Sequence, residues 1–280
     1  MQKSQVLLVG AAIVLVVVLF SFGRTEPRSD KKAMPAAAPM GGGQSAPPIA
    51  FEELLSTAKK KIPAEKLLLV NELENKVVRG DVKSQQIAVY KQLYTTWDSL
   101  NQLPVAAYYL GKAAKLENSE KSLTFAANLF FTHMQHAHEE GIAKWEALQA
   151  IELYDQAIAL NPANDTLKIS QAMVYMNTGE PMTGVQKLRD VVAANPDNVD
   201  AQVTLANLAI TSGQFDKAIE RLEGILPKHP DNAKVLFVLA EAYKSKGDKQ
   251  KAISLFQKSK ELMKDPVLKK EIDSYIESIK

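Results

Sequence analysis

The chain has 280 residues, with 34 Lys or Arg against 32 Asp or Glu, so its formal net charge of +2 argues against nucleic acid as a partner. It contains no cysteine, which excludes disulfides, thiolate metal sites, a cysteine nucleophile and a lipid anchor on cysteine. Hydrophobic residues make up 46% of the chain, enough for a packed core in one or two domains.

The first predicted element is an uncharged apolar run, Val6–Phe22. At about 1.5 Å per residue a helix of this length spans roughly 26 Å, which suffices for a bilayer core. A cleaved signal peptide needs a small-residue cleavage site soon after the run, but Gly23–Pro27 follows and Ala36–Ala38 lies far downstream. We therefore expect residues 1–22 to form an uncleaved, single-pass membrane anchor.

The charges flanking this run leave its orientation open. Lys3 precedes it, whereas Arg24, Arg28, Lys31 and Lys32 follow it, which by the positive-inside rule places the following domain in the cytoplasm. However, short amino-terminal tails commonly stay inside, and long domains translocate despite flanking charge. We favour the outward orientation and retain a cytoplasm-facing domain as the alternative.

Residues 23–48 predict a flexible linker. They contain five prolines, three consecutive glycines and almost no large apolar residue, so this stretch cannot bury enough surface to offset its chain entropy. A random coil of this length reaches roughly 25–30 Å.

Residues 49–118 predict a degenerate helical region, in which copies of a helix pair match poorly. The apolar spacing and the positions of Pro63 and Pro104 favour four helices. We expect them over Phe51–Lys59, Lys59–Val78, Asp81–Leu100 and a stretch that Pro104 begins and that carries Ala106, Leu110 and Ala113.

Three prolines then recur at a fixed interval of 34 residues: Pro162, Pro196 and Pro230, each followed two residues later by asparagine. Glycines recur in the same register at Gly179, where a first helix should end, and one and two periods later. Small residues recur where two helices must approach closely, and Asn164, Asn198 and Asn232 can cap each following helix. This period predicts helix pairs stacked into a solenoid.

The repeated residues resemble the tetratricopeptide repeat (TPR), which implies an all-α solenoid of helical hairpins. The copies are Asp165–Asn198, Val199–Asn232 and Ala233–Pro266; in the first of these, Gly184 stands where the second helix expects alanine. An earlier copy has Ser119–Glu140 as an overlong first helix, with about ten extra residues, and Ala150, Tyr154 and Ala157 on its second helix.

A capping helix is predicted after the last repeat, so that 119–280 forms a TPR array with a C-terminal cap. Asp265 can cap this helix and Pro266 fits its first turn. One apolar stripe is expected to pack on the array. It consists of Leu268, Ile272, Tyr275, Ile276 and Ile279.

The resemblance implies a concave groove, lined by first helices, that takes an extended peptide or a partner's helix. The corresponding residues are Thr166, Ile169, Met173, Met176 and Asn177, then Asp200, Val203, Asn207, Ile210 and Thr211, then Lys234, Phe237, Glu241, Lys244 and Ser245. Ile169, Val203 and Phe237 fit equally well as packing between neighbouring repeats. The carboxylate clamp of chaperone-binding TPR domains is not supported, because Val203 stands in the place of its lysine.

One cluster raises a metal site as an alternative. On a single helix, His133, His136 and Glu140 would share a face, which can hold a transition metal, although ordinary surface histidines give the same pattern. Ile142 stands where a zinc-protease motif starting at His138 requires histidine. We expect no metal site, no cofactor and no catalytic residues.

These observations predict a membrane-anchored scaffold that binds protein or peptide partners. The linker composition is similar to that of bacterial envelope TPR proteins, which implies the inner membrane, a periplasmic domain, and a role in complex assembly or chaperone-like holding. The alternatives are a cytoplasm-facing docking adaptor, a metal-binding or enzymatic protein, and a homo-oligomer whose groove takes its own linker or terminus.

Overall fold

The computed structural model describes residues 46–79 and 82–279. The predicted anchor, residues 1–22, and the predicted linker up to residue 45 lie outside the described residues. Within the described range the chain is all-helical, with thirteen α-helices and no β-strand. None of the helices described is both long enough and apolar enough to cross a membrane.

The thirteen helices are numbered here in chain order. They are α1 Phe51–Lys60, α2 Ala64–Arg79, α3 Lys83–Ser99, α4 Leu103–Glu117, α5 Glu120–Met134, α6 Glu140–Leu160, α7 Asp165–Met176, α8 Pro181–Ala194, α9 Val199–Thr211, α10 Phe215–Ile225, α11 Ala233–Lys246, α12 Lys249–Leu262 and α13 Pro266–Ile279.

From α2 onward each helix packs against the next, and first helices also contact each other, α7 with α9 and α9 with α11. This pattern of contacts is that of stacked helical hairpins, and it confirms the predicted TPR-like solenoid. Leu205 and Leu239, one period apart, are both buried, each in a core formed between neighbouring hairpins.

The predicted helix ends are confirmed at the repeated positions. Gly179, Gly213 and Gly247 have φ of 84°, 73° and 98°, the left-handed conformation that ends a first helix. Asn198 and Asn232 accept hydrogen bonds from the backbone N–H groups three residues on, as N-caps do. These local devices fix where each hairpin turns.

Gly184 is required by a close approach of α8 to α7. A Cβ built on Gly184 would lie 2.5 Å from the carbonyl oxygen of Ala172 and 2.5 Å from Cγ of Met176. The alanines one and two periods later, Ala218 and Ala252, are fully buried in the equivalent places. The departure from the repeat pattern at Gly184 is therefore a packing adaptation of this one hairpin.

The prediction of a single helix over Ser119–Glu140 is wrong, because α5 ends at Met134 and α6 begins at Glu140. Met134 is the last buried residue of α5, and the polar residues between it and α6 are exposed. The extra length lies in α6, which has 21 residues against 14 in α8. Its first turn contacts the start of the described chain: Ile49 N donates to Gly141 O, and Lys144 Nζ donates to Ala46 O.

A repeated hydrogen-bond arrangement relates α5 to α7. Asn161 and Asn164 donate to the Glu120 carboxylate at 2.8 and 2.6 Å, and Asn195 and Asn198 donate to Asp165 at 3.3 and 3.1 Å. Glu120 and Asp165 are each the first residue of a first helix and lie 45 residues apart, 11 more than the period. The predicted insertion of about ten residues is therefore present in this unit.

The helices before α5 differ from prediction at one boundary. Pro63 separates α1 from α2, which starts at Ala64 and not at Lys59, because proline disfavours a helical conformation in the residue before it. Phe51 on α1 stacks on Tyr108 of α4 and on Trp145 of α6, with ring centroids 3.5 and 5.9 Å apart. This aromatic cluster fixes α1 against the first complete hairpins.

The capping helix α13 forms as predicted, with one difference. Asp265 Oδ1 accepts from Val267 N at 2.8 Å, and Ile272, Ile276 and Ile279 are buried. Leu268 was expected in the same stripe, but it is 46% exposed. It lies in the first turn of α13, which faces an open groove beside α11 and does not pack on the array.

Candidate partner-binding groove

Some of the predicted groove residues of α7 pack against the core, and others are accessible to solvent. Ile169 and Met176 pack against the small core of Ala172, Leu188 and Leu205. Met173 is half-buried, and Asn177 is exposed, with its Nδ2 donating to the Met173 carbonyl. The α7 face thus presents the thioether of Met173 and the amide of Asn177, next to side chains that pack in the core.

On α9 the same division recurs. Val203 is 1% exposed and belongs to the core between α9 and α11, so its side chain is not presented to solvent. Asn207 is exposed, and Ile210 is half-buried against the same core. The α9 face therefore resembles the α7 face, with an exposed amide beside a partly buried apolar residue.

At α11 the first-helix face opens into a groove of about 740 Å³, which we call the C-terminal groove. One wall is α11 and the other is α13, and most of the lining is apolar. The lining residues are Ala233, Lys234, Phe237, Glu241, Met263, Leu268, Glu271, Ile272 and Tyr275. Of the predicted groove residues, Lys234, Phe237 and Glu241 line it.

Aromatic rings stiffen this groove. Phe237 meets Phe256 edge-on with ring centroids 5.2 Å apart, and Phe256 meets Tyr275 in the same way at 5.3 Å. Phe256 is fully buried on α12, so it supports the two lining rings from beneath. Edge-to-face contacts of this kind favour a fixed ring orientation, and the groove is largely preformed.

The two lysines near the groove are already engaged. Lys234 Nζ lies 2.7 Å from Asp200, and Lys244 Nζ lies 2.7 Å from Glu241. Lys244 also donates to the Tyr275 hydroxyl and stands 4.6 Å from the centroid of its ring. Burial lowers the pKa of Lys244, but the hydrogen bonds to Glu241 and Tyr275 raise it by more, so its ammonium stays charged.

Glu271 differs from these groups. It is exposed on α13, lines the C-terminal groove, and has no hydrogen-bond or ion-pair partner within the described part of the chain. The groove therefore combines an apolar floor with one uncompensated carboxylate at its edge.

The metal alternative loses its geometric basis, because the helix on which it rested is broken. His133 lies in the last turn of α5, His136 lies beyond that helix, and Glu140 begins α6. Over residues 46–79 and 82–279, no three His, Cys, Asp or Glu side chains are grouped so that they could hold a metal ion.

One buried acid was not predicted. Glu146 on α6 is fully buried, neither of its carboxylate oxygens has a hydrogen-bond partner in the described structure, and burial raises its pKa to about 8. His133 Nδ1 lies 3.8 Å from Glu146 Oε1, and burial lowers the pKa of His133. The signal was present in the sequence, since Glu146 stands one helical turn before the core residue Ala150.

Comparison with known proteins supports the repeats. The tetratricopeptide repeat family profile matches residues 184–235 and 209–269, so the chain contains TPR units in this stretch. No curated protein matches the chain.

The solved structures that match the chain share little sequence with it. The crystal structure of YrrB, described as a TPR protein with an unusual peptide-binding site, is 18% identical, covers 66% of this chain and 91% of its own, and gives a TM-score of 0.41. The MamA protein is 19% identical, with 63% and 91% covered and a TM-score of 0.43. A TPR protein from Parabacteroides merdae ATCC 43184 is 14% identical, with 82% and 98% covered and a TM-score of 0.38. With TM-scores below 0.5, none of these likenesses carries an argument about function.

Proposed function

We propose that this chain is a TPR scaffold that binds a protein or peptide partner along the face formed by α7, α9 and α11. The observation that carries the proposal is the C-terminal groove, an apolar recess of about 740 Å³ at the end of that face. Concave, mostly apolar sites with a few polar groups are the usual form of binding sites in proteins.

The rest of the face supports the same proposal. Asn177 at the end of α7 and Asn207 on α9 offer exposed amides in successive repeats, close to the half-buried Met173 and Ile210. Amides can bond to an extended peptide backbone, and methionine adapts its shape to varied apolar side chains. Such a surface favours recognition of a segment several residues long over recognition of a small molecule.

Photo-crosslinking tests this proposal in the full-length chain. Benzoylphenylalanine placed at Asn207 on α9 should yield a discrete adduct with a partner in cells of the source organism. The matched control is Glu220, which is also exposed but lies on the second helix α10. Adducts of equal yield and identity from both positions would overturn the proposal.

We also propose that Val6–Phe22 anchors the scaffold in a bacterial inner membrane with the repeats in the periplasm. The support is the length and apolarity of that run in the sequence. Tethering raises the local concentration of a captured partner at the membrane, which suits complex assembly or holding.

Protease treatment of intact spheroplasts tests the orientation. The repeats should be digested without lysis, whereas a cytoplasmic control protein should survive. Protection of the repeats in intact spheroplasts would favour the cytoplasm-facing docking adaptor. Release of the chain by carbonate washing would exclude the anchor.

A further inference from the structure

We propose that the C-terminal groove binds a peptide segment of a partner protein in which a bulky apolar side chain stands next to a lysine or arginine. The inference rests on the proposed function and adds the chemistry of the segment that is recognised. The apolar side chain would enter between Phe237 and Ile272, and the cationic side chain would pair with Glu271.

The apolar half of the preference follows from what the groove exposes. Leu262, Val267 and Leu268 are 38%, 63% and 46% exposed and follow one another around the turn from α12 into α13. Leu268 and Met263 line the groove, and Leu262 and Val267 are their direct neighbours in the chain. Large apolar side chains exposed together at the mouth of an apolar recess mark an interaction surface.

The charged half follows from which ions are already paired. Lys234 is engaged by Asp200, and Lys244 by Glu241 and Tyr275, so neither ammonium is free to attract an acidic segment. Glu271 has no such partner among the residues that the structure describes. A cation brought next to it gains an ion pair, whereas an anion there meets repulsion.

The geometry also favours a peptide over a second copy of this chain. The recess is a cleft between two helices, with a volume of about 740 Å³. A protein–protein interface needs on the order of 1,200–2,000 Å² of buried surface, which a cleft of this size does not supply by itself. A short peptide segment can bind within the cleft alone.

Blocked hexapeptides test the preference directly. The probes are fluorescein-labelled peptides with a central Leu-Phe pair flanked on either side by lysine, glutamate or glutamine, measured by fluorescence anisotropy against the full-length chain. Lysine peptides should bind about 3- to 10-fold more tightly than glutamate peptides at low salt. Replacing the Leu-Phe pair by Ala-Ala should weaken binding by at least about 10-fold.

Charge reversal locates the effect. Glu271→Lys should invert the order of the lysine and glutamate peptides, whereas Glu261→Lys, an exposed acid on α12 outside the groove, should leave the order unchanged. Leu268→Asp, at a side chain exposed enough to spare the fold, should weaken binding of all the Leu-Phe peptides.

The failure of this inference is distinguishable from failure of the proposed function. Crosslinking at Asn207 without any peptide binding tighter than about 1 mM would overturn the inference and leave the scaffold intact. Equal binding of lysine and glutamate peptides would also overturn it. Concentration-dependent dimers in light scattering that Leu268→Asp abolishes, with no peptide binding, would assign the groove to a second copy instead.

Discussion

Gly184 stands against the backbone of Ala172, so close that a β-carbon on the glycine would lie 2.5 Å from the alanine's carbonyl oxygen. One and two periods later an alanine occupies the equivalent position of the second helix. The backbones of α7 and α8 therefore approach each other more closely than those of the next two hairpins. The small core of Ala172, Leu188 and Leu205 beside this contact is separate from the larger cores.

Gly184→Ala should destabilise the protein although alanine is the better helix former. A methyl group at this contact must push the two backbones apart, and overpacking of this kind costs about 1–3 kcal/mol. Gly224→Ala is the matched control, because a Cβ there has no atom within 4 Å. It should stabilise by about 0.5–1 kcal/mol. Urea unfolding followed by circular dichroism measures the free energy of unfolding of both variants. If Gly184→Ala stabilises the protein, α7 and α8 are farther apart than this 2.5 Å contact implies.

Asn164→Ala should cost more free energy of unfolding than Asn232→Ala. Both lose an N-cap, worth about 1 kcal/mol. Asn164 also loses its bond to Glu120, which joins two successive first helices and adds about 1 kcal/mol more. In a Glu120→Ala background the two alanine variants should become equal in cost. A gap that persists there would assign the difference to something other than this bond.

Glu146 should make stability fall as pH rises. Its pKa of about 8 in the folded chain lies above the ordinary value of 4.5. Between these two values the native state keeps a proton that the unfolded state has released. The free energy of unfolding therefore decreases with rising pH through this window, by up to a few kcal/mol.

The comparison with Glu146→Gln isolates this effect. His133, whose pKa burial lowers, contributes in the opposite direction below its ordinary pKa of 6.5, but it is present in both proteins. The unfolding free energy of the wild type relative to Glu146→Gln should decline from pH 5 to pH 8. Parallel curves for the two proteins would mean that Glu146 is ionised, or solvated, in the folded state.

On α13, Leu268→Ala should cost less stability than Ile272→Ala, because Leu268 is exposed in the groove and Ile272 is buried. Ile272 is 6% exposed, and truncating it should cost about 2–4 kcal/mol; Leu268 is 46% exposed, and truncating it should cost less than about 1 kcal/mol. Thermal unfolding of both variants measures the difference. Equal losses would place Leu268 in the buried stripe, as the sequence pattern alone predicts.

The parts of the fold that were predictable are those set by local backbone chemistry. Proline, glycine in the left-handed conformation and asparagine caps act within a few residues, so Pro196, Gly213 and Asn198 mark helix ends without reference to the rest of the chain. Because these residues recur every 34 residues, a hairpin predicted in one copy is predicted in the next copies as well.

The parts that were not predictable depend on contacts across helices. The break after Met134 reflects where the core under α5 ends, and the long α6 reflects its contact with Ala46 and Ile49, far away in sequence. Helical periodicity placed Leu268 with the buried stripe, but the groove beside α11 leaves it uncovered. The C-terminal groove lies between α11 and α13, and the residue pattern of one helix does not show which other helix will face it.

The claim that the first-helix face binds the partner is tested most directly by hydrogen–deuterium exchange of the full-length chain, alone and with the partner that crosslinks at Asn207. The account predicts slower exchange in α7, α9, α11 and the first turns of α13, with little change in α8, α10 and α12. Slower exchange confined to the second helices α8, α10 and α12 would contradict it.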